Sequence, residues 1–590
     1  MLASAISSAS SPSPLLTPSD RTALLASKRS ALPPLPPPPP GSEHVPYYIA
    51  HTEIQEADLI STPFQPFLLE YVDAAASSFH PDTMSMIAHR SLTRLPPRLM
   101  EVTSLTSLDL TANHLVALPA GFVGLSNLVS LSLQENNLTT LTPLGQVRSL
   151  TYLDLSANDL KVLGPELASL VSLSFLNLAG NSLFELPGEI GNLRSLTHLD
   201  VSSNALIGFP DGLARLARLA DLNAAHNVLQ ALPESIGECA SLASLSLSHN
   251  HIKSLPPGIG DLDSLSSLRL DHNLLRSLPD EIGRLASLTK LFLNHNRLVS
   301  LPDTLCLLGA LWILRADHND IVDLPFHMAA LSRLEELYLN DNAIRSLPDM
   351  GELPGLRVLW AHNNYISSLT GKIEALSALT SLYIHDNRIS FLTTGIGRLH
   401  HLTALFLFDN DLYELPAELG DLYALEELDV SRNKLRSLPD EIANLANLRI
   451  LNAASNNLDE LPHPILSLSR LTQLDLRDNA ISDLPIQYLS GSLPSILTLN
   501  LSRNHLSGSD VRALTSVFRS IPYLYTDGNL EKRVIAMFRG KDHKASLEKY
   551  QEELKRRSAR VRSLRNSKLA KLKSAVSRLH SPVPPTSPRS

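Results

Sequence analysis

The feature that most constrains this chain is an asparagine that returns every 23 residues. Asn113, Asn136, Asn158 and Asn181 begin a series that runs through Asn479 to Asn504, eighteen copies of L-x-x-L-x-L-x-x-N-x-L in which two steps are 22 residues and the last is 25. A fixed period in this range marks a stacked array rather than separate globular domains. The 590 residues, which would ordinarily suggest about four domains, therefore read as one continuous core. A degenerate copy precedes the series, with Arg90 at the Asn position and Ile87, Leu92 and Leu95 around it. Another follows, with Ile521, Leu524 and Asn529.

The string is identified as the leucine-rich repeat, and its physics is local. In Leu288-Thr-Lys-Leu291-Phe-Leu293, alternation along a short strand sends Leu291 and Leu293 to one face. Stacking copies in parallel buries those faces together. The turn after each strand leaves backbone groups inside that need partners, and an Asn offers a donor and an acceptor at once. Between strands runs L-P-x-x-I-G-x-L, as in Leu278 to Leu285, where Pro and Gly punctuate a short helical segment. Pro gives way to Thr142, Gly164, Thr370 and Thr393, where a different path is expected. The expected fold is an α/β leucine-rich-repeat solenoid (horseshoe). It has a parallel concave sheet, short helical or 3-10 convex segments, and about 18 regular repeats plus degenerate end repeats over residues 82–529.

Composition then excludes function classes. Only 5% of residues are aromatic while 44% are apolar, so the core is aliphatic. The net charge of −9 rules out an obvious nucleic-acid binder on whole-chain grounds. Two cysteines, Cys239 and Cys306, lie 67 residues apart, too far along the stack for a disulfide, and fit a reducing compartment. Phosphate-loop, paired-Cys zinc, H-E-x-x-H and nucleophile-elbow motifs are absent, so the chain is read as a non-enzyme without cofactor.

The residues between the two strand leucines must face out of the core. Eleven of the eighteen are small Asp, Asn or Ser, but seven consecutive ones are Arg269, Phe292, Arg315, Tyr338, Trp360, Tyr383 and Phe406. Phe408 sits two residues on and is expected to face the same way. Trp, Tyr and Arg dominate binding hot spots, so this ladder is the candidate protein-binding surface. The competing reading is that exposed rings only stabilise neighbouring strands. A second column, His226, His249, His272, His295 and His318, is read as unliganded polar surface, with metal chelation or proton sensing as alternatives.

The flanks differ in composition. Residues 1–42 hold ten Pro and ten Ser and are expected to be disordered; the run 33–40 reads as a stiff linker, with SH3- or WW-type docking as the functional alternative. The opening MLASAISSASSPSP lacks a secretory apolar run, leaves an organelle transit peptide as an alternative, and with Leu2 excludes N-myristoylation. Residues 43–81 are expected to cap the array through a helix at 64–79, and 530–550 to cap the other end. Residues 554–580 carry ten basic residues and no acid, among them Lys555, Arg556, Arg557, Arg560 and Arg562, leaving −19 for the rest of the chain. Within the 551–590 tail they form a basic amphipathic helix that suits an anionic membrane or nucleic acid, or a solvated tail.

The copies Ser277-Leu-Pro-Asp-Glu-Ile-Gly283 and Ser437-Leu-Pro-Asp-Glu-Ile442 resemble the intracellular Ras-group-related type of leucine-rich-repeat protein. So do the ends, Arg90 to Pro96 and Asp527 to Arg533 through Leu547 to Tyr550. The resemblance implies a monomeric cytoplasmic scaffold in signal transduction, with a Ras-like small GTPase, its regulator or another signalling enzyme as partner. It transfers no fixed contact residues. The expected function is therefore protein binding on the concave face. The alternative is a membrane- or nucleic-acid-associated adaptor, peripheral or nuclear, held by the basic tail.

Overall fold

The computed structural model describes residues 83–84 and 87–529, apart from 352, 370–371, 462, 483, 485–492 and 520. The Ser/Pro tail with its 33–40 run, the 64–79 helix, the 530–550 segment and the basic tail from Lys555 to Arg562 lie outside the described residues.

Among the described residues, twenty parallel strands form one sheet. Except for the first, Thr83–Met84, each spans three residues. Both degenerate copies take part: Thr83–Met84 pairs with Ser107–Asp109, and Tyr523–Tyr525 pairs with Thr498–Asn500. Pairing is leucine to leucine, with Leu291 opposite Leu268 on one side and Leu314 on the other. From Ser107–Asp109 to Thr498–Asn500 the central Leu of each strand is buried while its two neighbours are mostly half-buried, so the pleat sorts core from surface; in the last strand Leu524 is only half-buried.

The asparagines close the turns as their chemistry requires. Asn296 Nδ2 donates to the Leu270 and Leu293 carbonyls at 2.8 and 2.9 Å, and its Oδ1 accepts from the Leu275 amide at 3.0 Å. Each Asn thus ties its own strand end to the preceding copy. Asn529 makes the same bonds in the last copy, to Leu501, Thr526 and Leu506. At the first copy Arg90 cannot, and its own amide instead donates to Asn113 Oδ1 at 3.1 Å.

Opposite the strands run sixteen 3-10 segments among the described residues. Pro279 is extended at φ −70° and ψ 152°, the segment Asp280–Arg284 follows, and the Leu285 amide closes onto the Ile282 carbonyl. Proline fixes that entry and lacks the N–H that the first turn would leave unpaired. Gly283 is needed for space: a Cβ there would collide with the Thr304 carbonyl of the next copy. The expected departures at Gly164 and Thr393 do not occur, since both adopt the same extended N-cap as proline. Thr142 does differ. Its repeat is 22 residues long and drops the N-cap residue, so Leu141 takes that place at φ −121° and ψ 10°. In the 25-residue copy between Asn504 and Asn529 the segment becomes an α-helix, α1 (Gly508–Val517), started by reciprocal bonds between Ser507 and Asp510.

Candidate functional site

The outward position between the strand leucines has a structural job in half of the eighteen regular repeats. All nine Asp or Asn residues there accept, through Oδ1, the backbone amide two residues on, at 2.8–3.2 Å, as Asp109 does from Thr111 and Asn452 from Ala454. Asx side chains favour this short local bond. Neighbours are then linked, Asn223 Nδ2 donating to Asp200 Oδ2 at 2.9 Å. From Arg269 to Phe406 the position holds only arginine and aromatics, so seven successive repeats forgo that bond.

In its place stands a stack. Arg269 lies 4.8 Å over the Phe292 ring, and Arg315 4.8 Å over Tyr338. Tyr338 meets Trp360 edge-on at 5.1 Å, Trp360 meets Tyr383 at 5.0 Å, and Tyr383 stacks on Phe406 at 4.5 Å. The rings are half-buried against one another, whereas Arg269 is exposed. The Tyr338 hydroxyl donates to Glu336 at 2.9 Å, and burial together with that carboxylate raises its phenol well above the ordinary range. Trp360 Nε1 is sequestered without a hydrogen-bond partner among the described residues.

Phe408 belongs to the neighbouring column, not to the ladder itself. It stacks on His385 at 3.9 Å, which stacks on His362 at 4.3 Å. Burial depresses both imidazoles to about 4, helped at His362 by the charge His385 would carry. These two histidines were not apparent from the sequence, because they sit one position outside the strand pair that the pattern singles out. The same applies to Tyr152 and Phe175, which stack at 4.5 Å nearer the N-terminal end.

The predicted histidine column is continuous. His226, His249, His272 and His295 stack ring on ring, and His318 meets His295 at a 35° tilt, with centroids 4.0–4.2 Å apart throughout. Its origin is conformational: the residue before each Asn is left-handed, with φ between +52° and +57° from Ala112 to Arg503 and +67° at Gly180. Asn, Asp and His tolerate that region far better than most side chains. The two ladder arginines reach carboxylates beside this column, Arg315 Nε lying 3.3 Å from Asp317 and Arg269 Nε 3.7 Å from Asp271, at the position that His385 and Phe408 hold in later repeats.

Family models agree with this geometry, matching a leucine-rich-repeat region at 267–392 and leucine-rich repeats at 103–160, 194–252 and 424–445. The ectodomain of the Arabidopsis receptor kinase HAESA, solved with a peptide hormone, is 30% identical over 70% of this chain and 77% of its own, with a TM-score of 0.51. The chain belongs to the leucine-rich-repeat family. A leucine-rich-repeat protein of Leptospira interrogans is 28% identical over 78% of this chain and 98% of its own, at a TM-score of 0.56. The plant peptide hormone receptor RGFR1 shares the fold at 23% identity and a TM-score of 0.61, over 76% of this chain and 77% of its own. No curated protein matches the sequence.

Proposed function

We propose that this leucine-rich-repeat protein is a non-catalytic scaffold that grips a protein partner on the outer face of its sheet, through the ladder from Arg269 to Phe406 and the adjoining Phe408. The carrying observation is the surrendered turn bond in seven successive repeats. Each such bond is worth about 0.5–1.5 kcal/mol, and cross-strand aromatic pairing returns about 0.2–1 kcal/mol. Stability alone therefore does not select the ladder, whereas Trp, Tyr and Arg are the residues on which binding energy concentrates. HAESA, a relative that holds a peptide hormone, supports recognition of a polypeptide. A Ras-like small GTPase or its regulator, met by a monomeric scaffold in cytoplasmic signalling, is the partner class that the sequence resemblance favours. The free, buried Cys239 and Cys306 suit such a reducing setting.

The test is affinity capture and a panel of Ras-like GTPases with full-length protein and its Trp360→Asn and Tyr383→Asn variants. These restore the array's ordinary residue, so the fold is kept. Partner binding is expected to weaken at least about tenfold with an unchanged melting temperature. Undiminished binding overturns the reading. If removal of residues 551–590 abolishes association instead, the basic-tail adaptor is the better account.

A further inference from the structure

We propose that the histidine column carries two transition-metal sites, formed by His249, Asp271 and His272 and by His295, Asp317 and His318. In each triad one atom per residue, an imidazole nitrogen or a carboxylate oxygen, lies within 4.8 Å of the others. The two sites have the same composition and the same architecture: an imidazole from one repeat, then an Asp-His pair from the next.

Three observations carry this beyond a polar surface. First, the imidazoles are held in place by the backbone, since all four occupy left-handed positions with φ of 55–56°; the rings stack at 4.0 Å in the first pair and meet at 4.1 Å, tilted by 35°, in the second. Second, each triad has a buried carboxylate at its base, with Asp271 7% exposed and Asp317 2%. Both are oriented through Oδ1, Asp271 by the Ser248 hydroxyl at 2.7 Å and Asp317 by Arg315 Nε at 3.3 Å. Arg269 and Arg315, at 3.7 and 3.3 Å, already offset part of each charge, and a metal ion on the other carboxylate oxygen would add to that. Third, in the second triad Asp317 Oδ2 is hydrogen-bonded to His318 Nδ1 at 3.1 Å, a contact whose proton a metal ion would displace, while His318 Nε2 is 3.4 Å from Asp341 Oδ2. Two ligands about 2.1 Å from one tetrahedral ion are roughly 3.4 Å apart, so the Asp317–His318 pair is already near ligand spacing. The Asp341 carboxylate on the far ring nitrogen is the outer support that metal-bound histidines commonly have. The His295 nitrogen lies within 4.8 Å of both other ligand atoms and has to come closer on binding.

Two imidazoles and one carboxylate favour Zn²⁺, Co²⁺, Ni²⁺ or Cu²⁺ over Ca²⁺ or Mg²⁺, which prefer all-oxygen shells. The histidines are not fully buried, so the open coordination positions face solvent. Water would fill them, or a carboxylate or imidazole of a docking molecule.

The experiment uses full-length protein without a histidine tag, freed of metal by chelation and titrated with Zn²⁺ and Co²⁺ by calorimetry and absorption. His272→Asn and His318→Asn report on the two sites. Asn already occupies this left-handed column at Asn363, with φ +54°, so circular dichroism should be unchanged. The wild type is expected to bind two ions, each single variant one, and the double variant none at the same concentrations, with Co²⁺ giving visible ligand-field bands. Displacement of Zn²⁺ by excess Mg²⁺ or Ca²⁺, or Zn²⁺ uptake by the double variant equal to that of the wild type, overturns the proposal. Because neither variant touches the aromatic ladder, loss of metal and loss of partner capture are separately readable.

Discussion

Replacing Asn250 with alanine should cost the array about 3–5 kcal/mol, and the figure follows from what its side chain touches. Oδ1 accepts from the Leu229 amide at 2.9 Å, and Nδ2 donates to the Ala224 and Leu247 carbonyls at 3.0 Å each. Three well-formed bonds at about 1 kcal/mol give roughly 3. The partners then divide. The Leu247 carbonyl still receives Asn273 Nδ2 at 2.9 Å, and the Ala224 carbonyl still receives Asn227 Nδ2 at 3.1 Å. The Leu229 amide loses its side-chain acceptor inside a buried turn, which adds about 1–2 kcal/mol. Asn250→Asp should be worse still, because a carboxylate would face two carbonyl oxygens with no proton to offer. Asn137→Ala is the control: its side chain is exposed and makes one long contact, 3.3 Å to Asp159, so less than about 0.5 kcal/mol is expected. Urea unfolding followed by circular dichroism measures the loss, and amide exchange should show protection failing first at Leu229, while the Ile252 amide keeps its bond to Asn273. A cost for Asn250→Ala below about 1 kcal/mol would refute the argument, as would wild-type stability in Asn250→Leu.

Further outcomes follow from the convex segments, the thiols and the buried rings. Gly283→Ala should lower stability by about 1–3 kcal/mol, because its Cβ meets the Thr304 carbonyl, whereas Gly309→Ala, with open space around it, should be neutral or better; thermal melts compare them. Cys239 is buried with its thiol pushed up to about 11, and burial also raises Cys306. Both should resist a thiol-specific reagent at pH 8 in the folded chain and react in full once it is unfolded. His362 and His385 stay neutral in the folded chain down to about pH 4, while in the unfolded chain they take up protons near pH 6.5. The unfolded state binds more protons in between, so stability is complete above about pH 6.5 and declines as pH falls toward 4, by at most about 3 kcal/mol per ring. Urea midpoints at pH 7 and pH 4.5 should differ less in His362→Asn/His385→Asn than in the wild type.

The fold was almost wholly legible because one period writes the same instructions into every copy. Leucine alternation sets the buried face, and the Asn column sets the turn. Even the end copies were visible, since Leu524 and Asn529 keep the spacing after the strand motif has decayed. The candidate site was legible as a list and not as an arrangement. A string cannot show that Phe408 joins His385 rather than Phe406, because that depends on which strand position each ring leaves from. Nor could it show that Arg269 and Arg315 divide themselves between a ring and a carboxylate. The glycine before the convex leucine reads as punctuation, yet its reason is the carbonyl of the next copy, a contact between residues about twenty positions apart. The histidines looked like a duplicated dipeptide. Their left-handed backbone favours His, Asp and Asn at that position, which hold ten of the column's places, although Ala, Ser, Glu and Arg also occur there, as at Ala112, Glu135 and Arg432.

The asparagine joint also sets how such a chain can change its length. Asn250 reaches back to Ala224 and Leu229 in the copy before it, and Asn273 repeats the same reach one copy later, to Leu247 and Ile252. Every seam is therefore interchangeable with every other. Adding or removing a whole unit leaves each junction intact, whereas a half unit strands a donor on one side and an acceptor on the other. Growth of the molecule is quantised, and a surface such as the aromatic ladder can be lengthened, shortened or moved along the array one rung at a time without redesigning what lies beneath it.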